Sequence, residues 1–174
     1  MNLKMSARDW GLTAAAVALF LDQASKLILL YGYGFKAMPP GDGIRVLPFF
    51  NIVMVWNPGI SYGLFPAHSR LGSMALVAIS LIAVILLIWW LWVSTRRSLS
   101  IGLGLIVGGA VGNNLIDRLI YGKVADFFQF YAYGYDWYVF NVADAAITFG
   151  VIVLLYDALM RPEPRPGPQT GQLE

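Results

Sequence analysis

Asp126 and Asp144 stand 18 positions apart, each beside an apolar run, and they are the residues of this chain best placed to do chemistry. The competing options are few. The chain has no cysteine and one histidine, His68, remote in sequence from the other polar clusters. A thiol nucleophile is excluded, and a Ser-His-Asp arrangement or a zinc site lacks its parts. A Ser-Lys dyad can be drawn from Ser25 or Ser61 with Lys26. Two neighbouring carboxyls in a poorly solvated site cannot both ionise cheaply, so their titrations split. The ionised member can take a proton from water while the protonated one donates toward a carbonyl or a leaving amine. That is a route to peptide hydrolysis without a covalent intermediate.

Other polar residues interrupt the apolar runs. Placing a charge in hydrocarbon costs at least about 2.5–3.5 kcal/mol, so such groups are functional candidates. Asp22 and Lys26 lie four apart and share a helix face. Their simplest role is a neutralised ion pair near the membrane interface, with Lys26 snorkelling outward. The segment from Asn57 through Pro58, Gly59, Ile60, Ser61, Tyr62 and Gly63 reads as a turn whose glycines allow close backbone approach. Beside a hydrolytic site, the Asn57 amide could bond a scissile carbonyl. Gly108, Gly109 and Gly112 suit close helix packing. Behind them come Asn113, Asn114, Asp117 and Arg118, with Asn114 and Arg118 at i,i+4. Asn141 and Asp144 are at i,i+3 on one face.

These residues need elements to position them, and composition supplies the class. Of 174 residues, 58% are hydrophobic and 13% are charged, against about 25% charged in a soluble domain. The mean hydropathy is +0.64. Four apolar runs, at about 10–30, 71–93, 101–120 and 140–159, approach the roughly 20 residues that span a bilayer as helix. The first run continues past Asp22 and Lys26 without a small-residue cleavage signal, so it is expected to remain as a helix. Lys4, Arg8, Arg96, Arg97, Arg161 and Arg165 fall on the side of both termini, opposite Lys36, Arg45, Arg70 and Lys123. The positive-inside rule then puts the termini in the cytoplasm. A net charge of +2 gives no reason to expect a nucleic-acid partner. The β-branched and aromatic stretch 44–56 reads as strand or hairpin, with Pro48 at an edge or turn. Aromatics crowd 127–140. The expected fold is an all-α membrane protein, a four-transmembrane-helix bundle over residues 1–160. A small extracytoplasmic β-rich cap comes from about 40–66 and 124–139. The Pro-rich stretch 161–174 is expected to be a disordered cytoplasmic tail. In this topology every polar cluster falls near the outer membrane face. A transporter relaying ions would spread its acids through the depth of the membrane, and a noncatalytic assembly or lipid-binding protein would need neither aspartate.

In order along the chain, Asp22-Gln-Ala-Ser-Lys26, Asn57-Pro-Gly-Ile-Ser61, Asn114-Leu-Ile-Asp-Arg118, Val124-Ala-Asp126-Phe and Phe140-Asn-Val-Ala-Asp144 resemble the bacterial lipoprotein signal peptidases (signal peptidase II). The resemblance implies that Asp126 and Asp144 form a catalytic dyad. It implies that Asn57, Gly59, Asn114, Arg118 and Asn141 line the site, with Asp22 and Lys26 in support. It further implies cleavage of diacylglyceryl-modified prolipoproteins just before the lipidated cysteine, in the bacterial inner membrane and toward its outer leaflet. The expected partners are that substrate, membrane lipid and globomycin-type inhibitors, and neither metal nor cofactor is implied. One departure matters. The family pattern Gly-Gly-x-x-Gly-Asn-x-x-Asp-Arg carries one extra residue here, giving Asn113-Asn114. Counting back from Asp117-Arg118 selects Asn114, and counting forward from the glycines selects Asn113; phase with Arg118 favours Asn114 as the site asparagine.

Overall fold

A computed structural model describes residues 5–59 and 69–160. Ile60, Ser61, Tyr62, Gly63, His68 and the 161–174 stretch lie outside the described residues, and with them the expectations placed on them. Helix α1 (Ala7–Leu27) continues through a wide π-turn, Ile28–Gly32. Strands β1 (Gly43–Leu47) and β2 (Phe50–Asn57) follow. Next come α2 (Arg70–Val93) and α3 (Arg97–Ala110), which runs on through a π-helical stretch, Val111–Asp117, into the short α4 (Arg118–Tyr121). Strands β3 (Val124–Ala132) and β4 (Tyr135–Asp136) lead to the last helix, α5 (Val142–Leu159).

Four helical segments, Ala7–Gly32, Arg70–Val93, Arg97–Tyr121 and Val142–Leu159, are long and apolar enough to cross a membrane. Their starts follow local chemistry. Ser6 caps α1 in a reciprocal box with Asp9, and Ser69 accepts the Gly72 amide at the start of α2. Apolar side chains of α2, among them Ile79, Ile82, Leu86 and Trp89, are exposed. A helix that is apolar all round and covered by protein only along the stripe of Val84 and Leu91 matches a lipid environment. The third segment is the most buried of the four, because glycines let it approach both neighbours. A Cβ on Gly104 would collide with the Gly11 backbone of α1. A Cβ on Gly109 would lie 2.6 Å from the Ala143 carbonyl oxygen, in the first turn of α5. Gly109→Ala is therefore expected to push that turn aside. A lower melting temperature and a turnover loss of about tenfold or more would check this, given how steeply rates fall with misplacement of reacting groups.

The stretch read as strand or hairpin forms β1 and β2, with Pro48 in the turn. The described strands form one antiparallel sheet in the order β1-β2-β3-β4. Register pairs Val55 with Asp126 and Asn57 with Val124. Side chains alternate across a sheet, so Asn57 and Asp126 are diagonal neighbours on one face. The other face buries Met54, Ala125 and Phe127 against Leu29, Leu30 and Phe35, anchoring the sheet to the end of α1. Phe50, Phe128, Phe130 and Phe140 pack in stacked, tilted and edge-to-face contacts with centroids 5.0–6.0 Å apart.

Candidate active site

Asp144 is held by the start of its own helix. Asn141 is the N-cap of α5. Its side-chain oxygen accepts the Asp144 amide at 3.0 Å, and the Asn141 amide donates back to Asp144 Oδ2 at 3.2 Å. The spacing at i,i+3 is thus a capping box. The same Asn141 reaches the other acid, its Nδ2 donating to Asp126 Oδ1 at 2.7 Å. One residue therefore touches both carboxyls.

Asn113 supplies the second link. Its Nδ2 donates to Asp144 Oδ1 at 3.0 Å, while its Oδ1 accepts from Asn141 Nδ2 at 2.9 Å and from Lys26 Nζ at 2.6 Å. Asn114, the asparagine favoured by helical phase, instead accepts from Arg118 Nε at 3.3 Å. The i,i+4 relation to Arg118 exists, but Asn113 is the one that reaches Asp144. Phase counted at 3.6 residues per turn does not carry across Val111–Asp117, where the turns widen and absorb an additional residue. Asn113→Ala should reduce turnover at least about tenfold more than Asn114→Ala, since the first strips bonds from Lys26, Asn141 and Asp144 itself, and the second only from Arg118 Nε. Equal losses would remove Asn113 from the site.

Lys26 does not snorkel. It is 2% exposed, and its ammonium meets Asp22 Oδ2 and Asp117 Oδ2, each at 2.8 Å, besides Asn113. Three acceptors saturate its three donors, so nothing draws it toward water. Each flanking acid also holds a backbone amide. Asp22 Oδ1 accepts from Ala143 N at 3.0 Å, and Asp117 Oδ2 accepts from Ala125 N at 3.1 Å. Those amides immediately precede Asp144 and Asp126. The Asp22–Lys26–Asp117 cluster thus clamps the two chain segments that carry the carboxyl pair. Gln23 adds bonds to Asp22 and Asp117. Sequence reasoning gave Asp117 no role. The available signal was Lys26 itself, a cation in an apolar run with only one acid assigned to it.

Arg118 is 4% exposed and donates to the carbonyls of Pro58 and Gly59, fastening the turn after β2 to the end of α3. Asn57 closes that turn by accepting the Gly59 amide at 2.9 Å, and its side chain also bonds Asp126. Ser25 bonds the Asp22 carbonyl of its own helix, which leaves it in no dyad with Lys26. Asp126 is 1% exposed. Burial, then the charge of Asp144, push its carboxyl well above the usual range, against opposing bonds from Asn57 and Asn141 and the charge of Lys26. Asp144 is half-buried and faces space. It lines a cavity of about 130 Å³ with Asn57, Gly59, Asn113, Asn114 and Arg118, and another of about 290 Å³ with Tyr138, Phe140 and Ile147. Asp126 borders a third, also about 290 Å³, with Asn57, Pro58 and Tyr138.

Fold and site together define a polytopic membrane protein with a buried, carboxyl-rich polar cluster at one end of its helices. Residues 14–160 match the family model of signal peptidase II, Peptidase_A8, and the chain belongs to that family of peptidases. It is 48% identical over 159 residues to the lipoprotein signal peptidase of Beijerinckia indica, covering 91% of this chain and 93% of the relative. It is 51% identical over 161 residues to that of Methylorubrum extorquens, covering 92% and 91%. Two solved structures of bacterial membrane enzymes superpose with TM-scores of 0.73 and 0.72 at 29% and 28% identity. They cover 90% and 87% of this chain, and 93% and 94% of their own.

Proposed function

We propose that this protein cleaves diacylglyceryl-modified prolipoproteins just before the lipidated cysteine, with Asp126 and Asp144 activating water. The observation that carries this reading is the single residue, Asn141, bonded to both carboxyls in a buried cluster bordered by cavities. Asp126, the more buried acid, holds the proton; Asp144, facing the cavities, is ionised. Asp144 takes a proton from water as the water oxygen bonds to the scissile carbonyl carbon. Asp126 gives its proton to the carbonyl oxygen. Collapse of the tetrahedral diol breaks the C–N bond, and the amine leaves with the proton that Asp144 had taken. The diol's own hydroxyl proton returns to the pair, which restores its single shared proton. Asn57, bonded to Asp126, is placed to orient the scissile carbonyl. Asn113 and Asn141 orient the acids, Gly59 and Arg118 shape the cavity wall, and Asp22 and Lys26 support from behind.

In this reading the termini are cytoplasmic, the helices form a bundle in the bacterial inner membrane, and the sheet caps it on the outer side. Residues 1–160 act as the peptidase domain. Such a placement brings the carboxyls to the leaflet where a lipid-anchored substrate helix lies. The test is incubation of purified protein with a diacylated prolipoprotein, followed by a gel shift. Conversion that requires the diacylglyceryl group and is blocked by globomycin is expected. A folded protein that leaves this substrate intact would overturn the reading.

A further inference from the structure

At the helix ends remote from the carboxyls, two arginines from different helices lie over tryptophan rings of their neighbours. The Arg8 guanidinium of α1 lies 4.4 Å from the Trp92 ring centroid of α2, and that of Arg97 in α3 lies 3.8 Å from the Trp10 ring of α1. The three helices meet tightly here. A Cβ on Gly11 would lie 2.6 Å from the Ser100 carbonyl oxygen and 2.8 Å from the Leu91 side chain. Among the described residues, neither the Arg8 nor the Arg97 guanidinium makes a hydrogen bond or an ion pair. The nearby acids are already engaged. Asp9 bonds the Ser6 cap, and Asp157 takes an ion pair from Arg96 and a bond from Ser98.

An aromatic ring beneath a guanidinium attracts its charge without providing an oxygen acceptor, and five N–H donors in a fork suit phosphate oxygens. Around the pair, Leu12, Trp89, Trp92 and Val93 are exposed and apolar. A ligand that offers an anion at the ends of membrane helices and hydrocarbon beside it is an anionic phospholipid. We propose that Arg8 and Arg97, fixed by Trp92 and Trp10, form a binding site for the phosphate of an anionic glycerophospholipid. The site does not depend on the catalytic reading; only its assignment to the cytoplasmic leaflet rests on the topology proposed above.

The test is native mass spectrometry of the detergent-solubilised protein with phosphatidylglycerol or phosphatidylcholine. The comparison pairs the unaltered chain with Arg8→Gln/Arg97→Gln and with a charge-matched control, Lys36→Gln/Arg45→Gln, in the segment between α1 and β2. The unaltered chain and the control are expected to retain phosphatidylglycerol preferentially. The double variant is expected to bind it about 25-fold more weakly, at about fivefold per guanidinium. Arg97→Gln alone removes an exposed side chain and should show about fivefold even if the double variant does not fold. Equal retention by Arg97→Gln and the unaltered chain would overturn the proposal. So would thermal stabilisation by inorganic phosphate that equals stabilisation by phosphatidylglycerol, since that would describe a free-anion site.

Discussion

Asp126→Asn and Asp144→Asn should each reduce turnover of a diacylated prolipoprotein by about 10³-fold or more, because in the proposed mechanism each removes one half of a proton-transfer pair. Neither should unfold the protein. An asparagine at 126 can still accept from Asn141 through its side-chain oxygen, as Asp126 Oδ1 does. For Asp126 the stability effect has a definite sign. Its folded-state pKa lies well above 3.8. The group's contribution is therefore fully present below the ordinary carboxylate range and is lost as pH rises toward and through the raised value, where the unfolded chain ionises freely. Asparagine has no such loss. The melting temperature of Asp126→Asn at pH 7–8 should equal or exceed that of the unaltered protein, with the difference shrinking near pH 4. Full turnover by either variant would remove the dyad. A melting temperature for Asp126→Asn well below the unaltered value at pH 7–8 would contradict the buried, protonated state.

Lys26→Met should have the largest effect on stability. Asp22 and Asp117 are at most 1% exposed and share this one ammonium. Removing one partner of a buried charge network costs about 3–5 kcal/mol, because the charges left behind have neither water nor counter-ion. For a chain of this size that amounts to a fall of about 10 °C in melting temperature. Turnover should fall with it, since the clamp sets Ala143 and Ala125, the residues before the two acids. Adding Asp117→Asn to Lys26→Met should recover part of the loss by removing one stranded charge. A melting temperature within about 2 °C of the unaltered value would show that the cluster is not a clamp.

Much of this was legible in the residues. Apolar runs near 20 residues forecast all four long helices, because lipid leaves the backbone no other way to satisfy its hydrogen bonds. Strand-forming residues at 44–56 gave a hairpin. The pairing of β2 with β3, which puts Asn57 beside Asp126, depends on contacts between segments about 70 positions apart and on a register shift between Ile52 and Val55. No local pattern encodes that. Asn141 and Asp144 could be paired from i,i+3 spacing, which the capping box realises. Of the two asparagines the motif offers, helical phase favours Asn114 over Asn113, and that phase does not hold where the helix widens over Val111–Asp117. Asp117 was missed because its role is to hold Ala125, on a strand that starts only after the chain turns at Gly122. Lys26 was given a route to solvent because its second acid comes from another helix. The misreadings share a cause: spacing within one element says little about which neighbour will complete a polar group's bonds.

Difference infrared spectroscopy of the detergent-solubilised protein, followed across pH in the carboxylic-acid carbonyl region, tests most directly whether the pair holds one proton at working pH. The expected result is a protonated carboxyl at pH 7 that is absent in Asp126→Asn, and whose loss at higher pH runs parallel to the loss of prolipoprotein cleavage. A band that persists unchanged in Asp126→Asn, or cleavage that continues at full rate after the band has titrated away, would contradict it.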